Sequence, residues 1–284
     1  MTSANSDQAE YWSSPSGQTW VTHQADMDRL LSDVLDTLLR HAAPAKGERV
    51  LDIGCGTGAS SLELSQAVGP DGHVTALDIA DPLLALARHR GAEAGYGNIE
   101  YLNADAQTHG FDEGQADLVF SRFGVMFFAD PVAAFANLRR AVRPGGRLTM
   151  ICWQGAPDNP WFMVPMQVAM DRLGKAEPMD PHAPGPMAFK DVDRVTDILK
   201  AAGWSEAKGE KIEVDLIPPQ TVEGAAEMAT TIGPATRLIR EKDGTDADKQ
   251  AIREGVEAAL GGYLNDAGLR VPARLIIYSA VHPA

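Results

Sequence analysis

The run Val50-Leu51-Asp52-Ile53-Gly54-Cys55-Gly56-Thr57-Gly58 constrains the fold more than any other: an apolar strand-like stretch carrying one acid passes directly into a turn with glycine at alternate positions. Such a turn curls tightly and lets backbone approach a ligand with no Cβ in the way, and the helix that follows points its free N–H groups at the same place. Strand, glycine turn and helix in this order suit a nucleotide-like cofactor. Because Gly54, Gly56 and Ala59 also satisfy G-x-G-x-x-G/A, spacing alone leaves a dinucleotide open.

The runs that follow repeat the theme. His73-Val74-Thr75-Ala76-Leu77-Asp78 ends in an acid where a second-strand carboxylate meets ribose hydroxyls. Ile99 to Asn103 closes on Ala104-Asp105-Ala106, and Ala116 to Ser121 ends in a hydroxyl, so two more strand ends carry polar groups to one rim. From Arg49 to Trp153 apolar β-rich runs alternate with helical segments, the pattern of a parallel sheet covered on both faces. Before it, Met27, Leu30, Leu31, Val34, Leu35, Leu38 and Leu39 predict one amphipathic helix over 26–42, stopped by Pro44 and Gly47. Asp81 and Asp130, each followed by proline, are expected helix caps.

After Trp153 the regularity breaks. Pro157, Pro160, Pro165, Pro178, Pro181, Pro184 and Pro186 surround a short apolar helix and are too dense for core strands. We expect an N-terminal arm at 1–25, a core at 26–154, a cap insertion at 155–190, core again at 191–218, a second helical insertion at 219–270 and a last core strand within 271–284. Within these, a helix ends at Gly203 and Lys211 to Ile217 alternates as a half-exposed strand.

Composition narrows the function. Twenty-five Lys and Arg against 39 Asp and Glu give a net charge of −14, which repels phosphate backbones and anionic membranes, so neither nucleic acid nor membrane is an expected partner. The cluster Arg139, Arg140, Arg143 and Arg147 reads as the solvated face of a helix and its exit. Two cysteines, Cys55 and Cys152, supply no disulfide framework and no metal-ligand spacing. The first eight residues lack a basic and an apolar signal region, and no stretch has the ~18 apolar residues of a membrane span; a cytoplasmic protein is expected.

Taken together, the glycine loop with Asp52, the acid Asp78, the Ala104-Asp105-Ala106 turn and Arg143-Pro144-Gly145-Gly146 before the fifth strand resemble the class I S-adenosylmethionine-dependent methyltransferases, closely over residues 45–155 and loosely elsewhere. Tyr11-Trp12, Trp20-Val21, the run Ser121 to Phe128 and Pro184-Gly185-Pro186 are similar to a bacterial small-molecule subgroup. The resemblance implies an α/β, Rossmann-like seven-stranded mixed sheet with its last strand antiparallel, helices on both faces and a helical cap. It implies S-adenosylmethionine as cofactor, held by Trp20, Gln24, Asp52, Gly54, Gly56, Asp78, Ile79, Asp105, Ala106 and Ser121. Asp78 would take the ribose and Asp105 the adenine amino group, or else its own backbone in a turn. Asp52 would either meet the methionine part through water or brace the glycine loop. The implied reaction is methyl transfer to a small organic molecule, oxygen favoured over nitrogen or carbon. Other readings are a quinone-ring C-methyltransferase, a nicotinamide-dependent oxidoreductase using the same loop, and a non-catalytic cofactor sensor.

Displacement at a sulfonium requires alignment and exclusion of water rather than a protein nucleophile. A general base helps an acidic acceptor, and His23 in the arm and His182 in the cap are the candidates. Trp12, Trp20, Phe123, Phe127, Phe128, Trp161 and Phe162 are candidate pocket walls, with ordinary core packing the alternative. Cys55 has no histidine partner nearby in sequence, and no carboxylate cluster suggests a metal. The arm, carrying Tyr11, Trp12, Trp20, His23 and Gln24, is expected either to fold over the cleft as a lid or to pack behind the sheet.

Overall fold

The computed structural model describes residues 5–177, 180 and 182–284. Met1 to Ala4 of the arm and Pro178 and Pro181 of the proline-rich segment lie outside the described residues. The arm contains α1 (Ser6–Ser13) and α2 (Pro15–Thr22) and runs into α3 (Gln24–Leu30), followed by α4 (Ser32–Ala42). The core then runs β1 (Arg49–Ile53), α5 (Ala59–Val68), β2 (His73–Asp78), α6 (Asp81–Glu93), β3 (Ile99–Asn103), β4 (Ala116–Arg122), α7 (Pro131–Ala141) and β5 (Val142–Trp153). Helix α8 (Pro160–Leu173), α9 (Val192–Ala201) and β6 (Ser205–Leu216) follow. Three helices, α10 (Val222–Thr231), α11 (Pro234–Glu241) and α12 (Asp246–Leu260), and a two-residue hairpin, β7 (Leu264–Asn265) with β8 (Gly268–Leu269), lead to β9 (Val271–Val281).

Seven strands form one sheet in the order β3-β2-β1-β4-β5-β9-β6. Strands β1 to β5 are parallel neighbours, while β9 enters between β5 and β6 antiparallel to both. This is the seven-stranded mixed sheet with its last strand reversed. Strand burial follows position: Leu275, Ile276, Ile277 and Tyr278 of β9 are continuously buried because β9 has neighbours on both sides. Edge strand β6 instead alternates and carries Glu206, Lys208, Glu210, Lys211 and Glu213, charges that discourage further strand pairing.

Two local expectations are corrected. The helix predicted over 26–42 is interrupted at Leu31 (φ −104°, ψ 15°), since the Leu30 carbonyl accepts the N–H of Ile217 at 3.1 Å. Asp81 does not cap α6, because Asp78 Oδ1 has already taken the Ala80 N–H at 2.9 Å and Ala80 begins the helix; Asp81 pairs with Arg88 at 3.4 Å. Asp130 does cap α7, accepting the Ala133 N–H at 3.0 Å. Asp52, Asp78 and Ser121 stand at or next to the carboxyl ends of β1, β2 and β4, and Asp105 just past β3, along one rim.

Candidate cofactor site

The glycine turn is shaped by two different constraints. Gly54 lies at φ +68°, and a Cβ there would come 2.5 Å from the Gly124 Cα, so β1 and the segment after β4 touch backbone to backbone. Gly56 lies at φ +56° with nothing within 4 Å of where its Cβ would be, so its open side is a cradle. Beside it the Asp78 carboxylate accepts the Gly56 N–H at 2.8 Å on Oδ2 and the Ala80 N–H at 2.9 Å on Oδ1. Burial raises the Asp78 pKa, against the N–H bonds that favour its charge. Each oxygen keeps a second acceptor direction, the requirement for gripping a diol.

Asp52 is fully buried at the base of the turn, and its Oδ2 accepts the hydroxyls of Ser60 and Ser61, both at 2.7 Å. These bonds tie the end of β1 to the first turn of α5, so Asp52 braces the loop. Burial pushes its pKa up to about 6, opposed by the two serines. Ser121, also buried, donates to the Ile53 carbonyl at 2.8 Å and accepts the Gly124 N–H at 3.2 Å, which fixes the close approach to Gly54. Ile79 is half-buried beside Asp78, and Ala106 is buried with its carbonyl held by Asn137 at 3.0 Å. Asp105 Oδ1 accepts the Gln107 N–H at 2.9 Å, the bond of its own turn.

The arm reaches this rim at three places. Asn5, only 5% exposed, donates to Asp105 Oδ1 at 2.9 Å and Gln107 Oε1 at 3.2 Å, and accepts the Ala129 N–H at 2.8 Å. Trp12 packs edge-on against Phe127 at 5.4 Å and Trp20 at 5.7 Å. Asp28, held by Gln24 at 2.5 Å, pairs with Arg90 at 2.6 Å, and Arg90 also donates to the Thr57 carbonyl of the glycine turn at 2.6 Å. Nothing in the sequence marked Asn5, Asp28 or Arg90. Each matters through contacts 62 to 124 residues away in the case of Arg90–Asp28 and Asn5–Ala129.

The seven aromatic candidates separate. Trp12, Trp20 and Phe127 form the arm cluster, whereas Phe128 and Trp161 are buried in the core. Phe123 stacks on Trp153 at 4.6 Å and Phe162 meets that indole edge-on at 4.8 Å. Phe123 has φ +67°, a strained value for a residue with Cβ, retained next to the site. His23 joins α2 to α3, 4.0 Å from Asp26, and borders an open hollow of about 420 Å³ with Ser14, Thr19 and Thr231 that includes none of the strand-end acids. His182 is exposed, its N–H donating to Asp180 at 2.9 Å. Both cysteines are buried, and burial raises both thiols, so neither is poised as a nucleophile. Among the described residues no group of three or more His, Cys, Asp or Glu is placed to hold a metal, and no helix is long and apolar enough to cross a membrane.

The cradle at Gly56, the acid beside it and the turn at Asp105 fit a nucleoside laid across the ends of β3, β2 and β1. Residues 50–146 match the family model described as a methyltransferase domain. Aklanonic acid methyltransferase DauC of Streptomyces sp. (strain C5) is 41% identical over 105 residues, 37% of this chain and 48% of that protein. Nocamycin O-methyltransferase of Saccharothrix syringae is 29% identical over 199 residues, 67% of this chain and 69% of that one. The chain thus spans about half the length of the first and about two thirds of the second. A solved phosphoethanolamine N-methyltransferase 2 of Haemonchus contortus, in complex with phosphomonomethylethanolamine and S-adenosylhomocysteine, shares the fold with a TM-score of 0.55 at 18% identity, over 88% of this chain and 52% of that one. Residues 50–146 thus form a methyltransferase domain, and with its glycine turn, rim acids and strand order the chain is similar to the class I S-adenosylmethionine-dependent methyltransferases.

Proposed function

We propose that the protein binds S-adenosylmethionine along the β3–β2–β1 rim and transfers its methyl group to a small organic molecule, with oxygen the favoured acceptor atom. The observation that carries the reading is Asp78 at the end of β2, bonded to the Gly56 N–H and turned to the open cradle. Bound there, the sulfonium supplies an already activated methyl, which leaves alignment and dryness to the protein. Asp78 holds the ribose, Ile79 and the Asp105 turn flank the base, and Asp52 and Ser121 keep the turn in shape. The preference for oxygen rests on the nocamycin O-methyltransferase, the relative matched over 199 residues.

The rings of Phe123, Trp153 and Phe162 supply an apolar, aromatic wall for the acceptor. The arm serves as the lid, a reading supported by the Asn5, Trp12 and Asp28 anchors; His23 and His182 keep their places as candidate bases on it and on the cap. The proline-rich 155–190 and helical 219–270 segments act as caps over a continuous core, and the reaction belongs to the cytoplasm.

Thermal shift with S-adenosylhomocysteine and with NAD tests the cofactor. We expect the homocysteine nucleoside to raise the melting temperature and NAD to leave it unchanged; the opposite pattern restores the oxidoreductase. Deleting residues 1–24 tests the lid: a folded core with weakened nucleoside binding is expected, and wild-type affinity and turnover would contradict it.

A further inference from the structure

The glycine turn, α6 and α3 meet on one guanidinium. Arg90, in the last turn of α6, donates through Nη1 to the Thr57 carbonyl of the glycine turn and through Nη2 to Asp28 of α3, both at 2.6 Å. The Arg90 side chain is 18% exposed and that of Asp28 23%, so the pair is largely withdrawn from water. Asp28 is steadied by Gln24, one turn earlier on the same helix, at 2.5 Å.

Thr57 lies between Gly56 at φ +56° and Gly58 at φ +88°. Glycines on both sides impose few steric limits, so the direction of the Thr57 carbonyl is set by the bonds the turn makes. That carbonyl goes to Arg90, and the Gly58 N–H that follows goes to the Cys55 carbonyl at 3.0 Å. The turn is also seated on α6 itself, since a Cβ on Gly58 would come 2.9 Å from the Ala87 Cβ, one turn before Arg90.

Asp28 meets this fork only while α3, into which the arm runs, is docked. A guanidinium is planar and its donors point in fixed relative directions, so the bond to Asp28 also aims Nη1 at Thr57. We propose that Arg90 is a positioning residue that couples closure of the arm to the glycine turn. Docked α3 fixes the guanidinium and the guanidinium fixes the Thr57 carbonyl; a nucleoside bound at the turn holds the arm down in return, because coupling between two sites is reciprocal. The proposal rests on the S-adenosylmethionine reading and goes beyond it: Asp78 grips the nucleoside, whereas Arg90 transmits its presence to the arm.

Amide hydrogen exchange in α2 and α3 of the full chain, with and without saturating S-adenosylhomocysteine, tests it. In the wild type the nucleoside should slow exchange there by roughly 5- to 150-fold, the range of coupling between two sites. Arg90→Met at saturation should carry the nucleoside yet show no slowing in α2 and α3. Asp28→Ala keeps the bond to Thr57 but frees α3 from the fork, so it should lose the slowing too, and it decides the matter if Arg90→Met does not fold. Slowing that persists in either variant at saturation would mean that the nucleoside itself holds the arm, and would overturn the coupling. A wild type that binds the nucleoside with no change in α2 and α3 would overturn it as well. A wild type that does not bind S-adenosylhomocysteine at all would overturn the cofactor reading itself, and the inference with it.

Discussion

The two halves of the sheet handle polar groups in opposite ways. Around β1 to β4 the carboxylates and hydroxyls at the strand ends are buried and held by nearby backbone or serine groups, as with Asp78 on Gly56 and Asp52 on Ser60 and Ser61. Around β5, β9 and β6 the buried polar groups tie elements together: Asn159 bonds both the N–H and the carbonyl of Arg274, and the Tyr278 hydroxyl reaches the Phe189 carbonyl. That half also carries the Trp153 and Phe162 rings, with Phe123 from just past β4 stacked on Trp153. In the first half the contact of Gly54 with the Gly124 backbone leaves no room for a Cβ, while in the second the fixed points are side-chain bonds and ring packing.

Substitutions that add a single methyl should expose this contrast most strongly. Gly54→Ala forces a left-handed residue against the Gly124 backbone and should cost about 3 kcal/mol, the sum of backbone strain and overpacking. Gly261→Ala, at the end of α12 outside the first half, with φ −53° and open space around it, should stay within about 0.5 kcal/mol. Denaturant unfolding of both variants checks the pair; equal losses would break the comparison.

Asp52 provides a pH handle confined to the first half. Its folded pKa is raised from 3.8 to about 6, so its contribution to stability is complete below pH 3.8 and is lost as pH rises through 6. Asp52→Asn removes that loss. Unfolding at pH 4 and pH 7 should show the Asn variant gaining on the wild type by on the order of 2–3 kcal/mol between the two. A difference that does not change with pH would contradict the buried acid.

The smallest expected effect is local. Asn5→Ala leaves the Ala129 N–H and the Asp105 and Gln107 oxygens to find other partners and should cost about 1–2 kcal/mol in docking of the arm. Hydrogen exchange should then speed up in α1 and α2 while β1, β2 and β4 are unaffected. Uniform exchange across the chain would mean that the arm is not a separate closing element.

Much of the first half was legible because its determinants are local: a glycine turn, an acid at a strand end and a proline after a cap are read within ten residues. The alternation announced a parallel sheet, whereas the seven strands and the reversed last one came with the family resemblance. The break at Leu31 was not legible, since it depends on Ile217, nor was the early start of α6, which Asp78 sets from two residues upstream of Ala80. Asn5, Asp28, Arg90 and Trp153 escaped because an asparagine, a salt bridge or a tryptophan acquires meaning only from distant partners. The proposed acceptor wall escapes for the same reason, since its rings come from just past β4, from β5 and from α8 rather than from one motif.

Asp78, the rim acid of the first half, is the proposed grip on the nucleoside. Calorimetry of S-adenosylhomocysteine on the wild type and on Asp78→Ala, with melting curves confirming that both are folded, tests it most directly. A loss of roughly 1.5–3 kcal/mol in binding is the result predicted for hydrogen bonds to a charged group. Unchanged affinity in a folded Asp78→Ala protein would contradict the account.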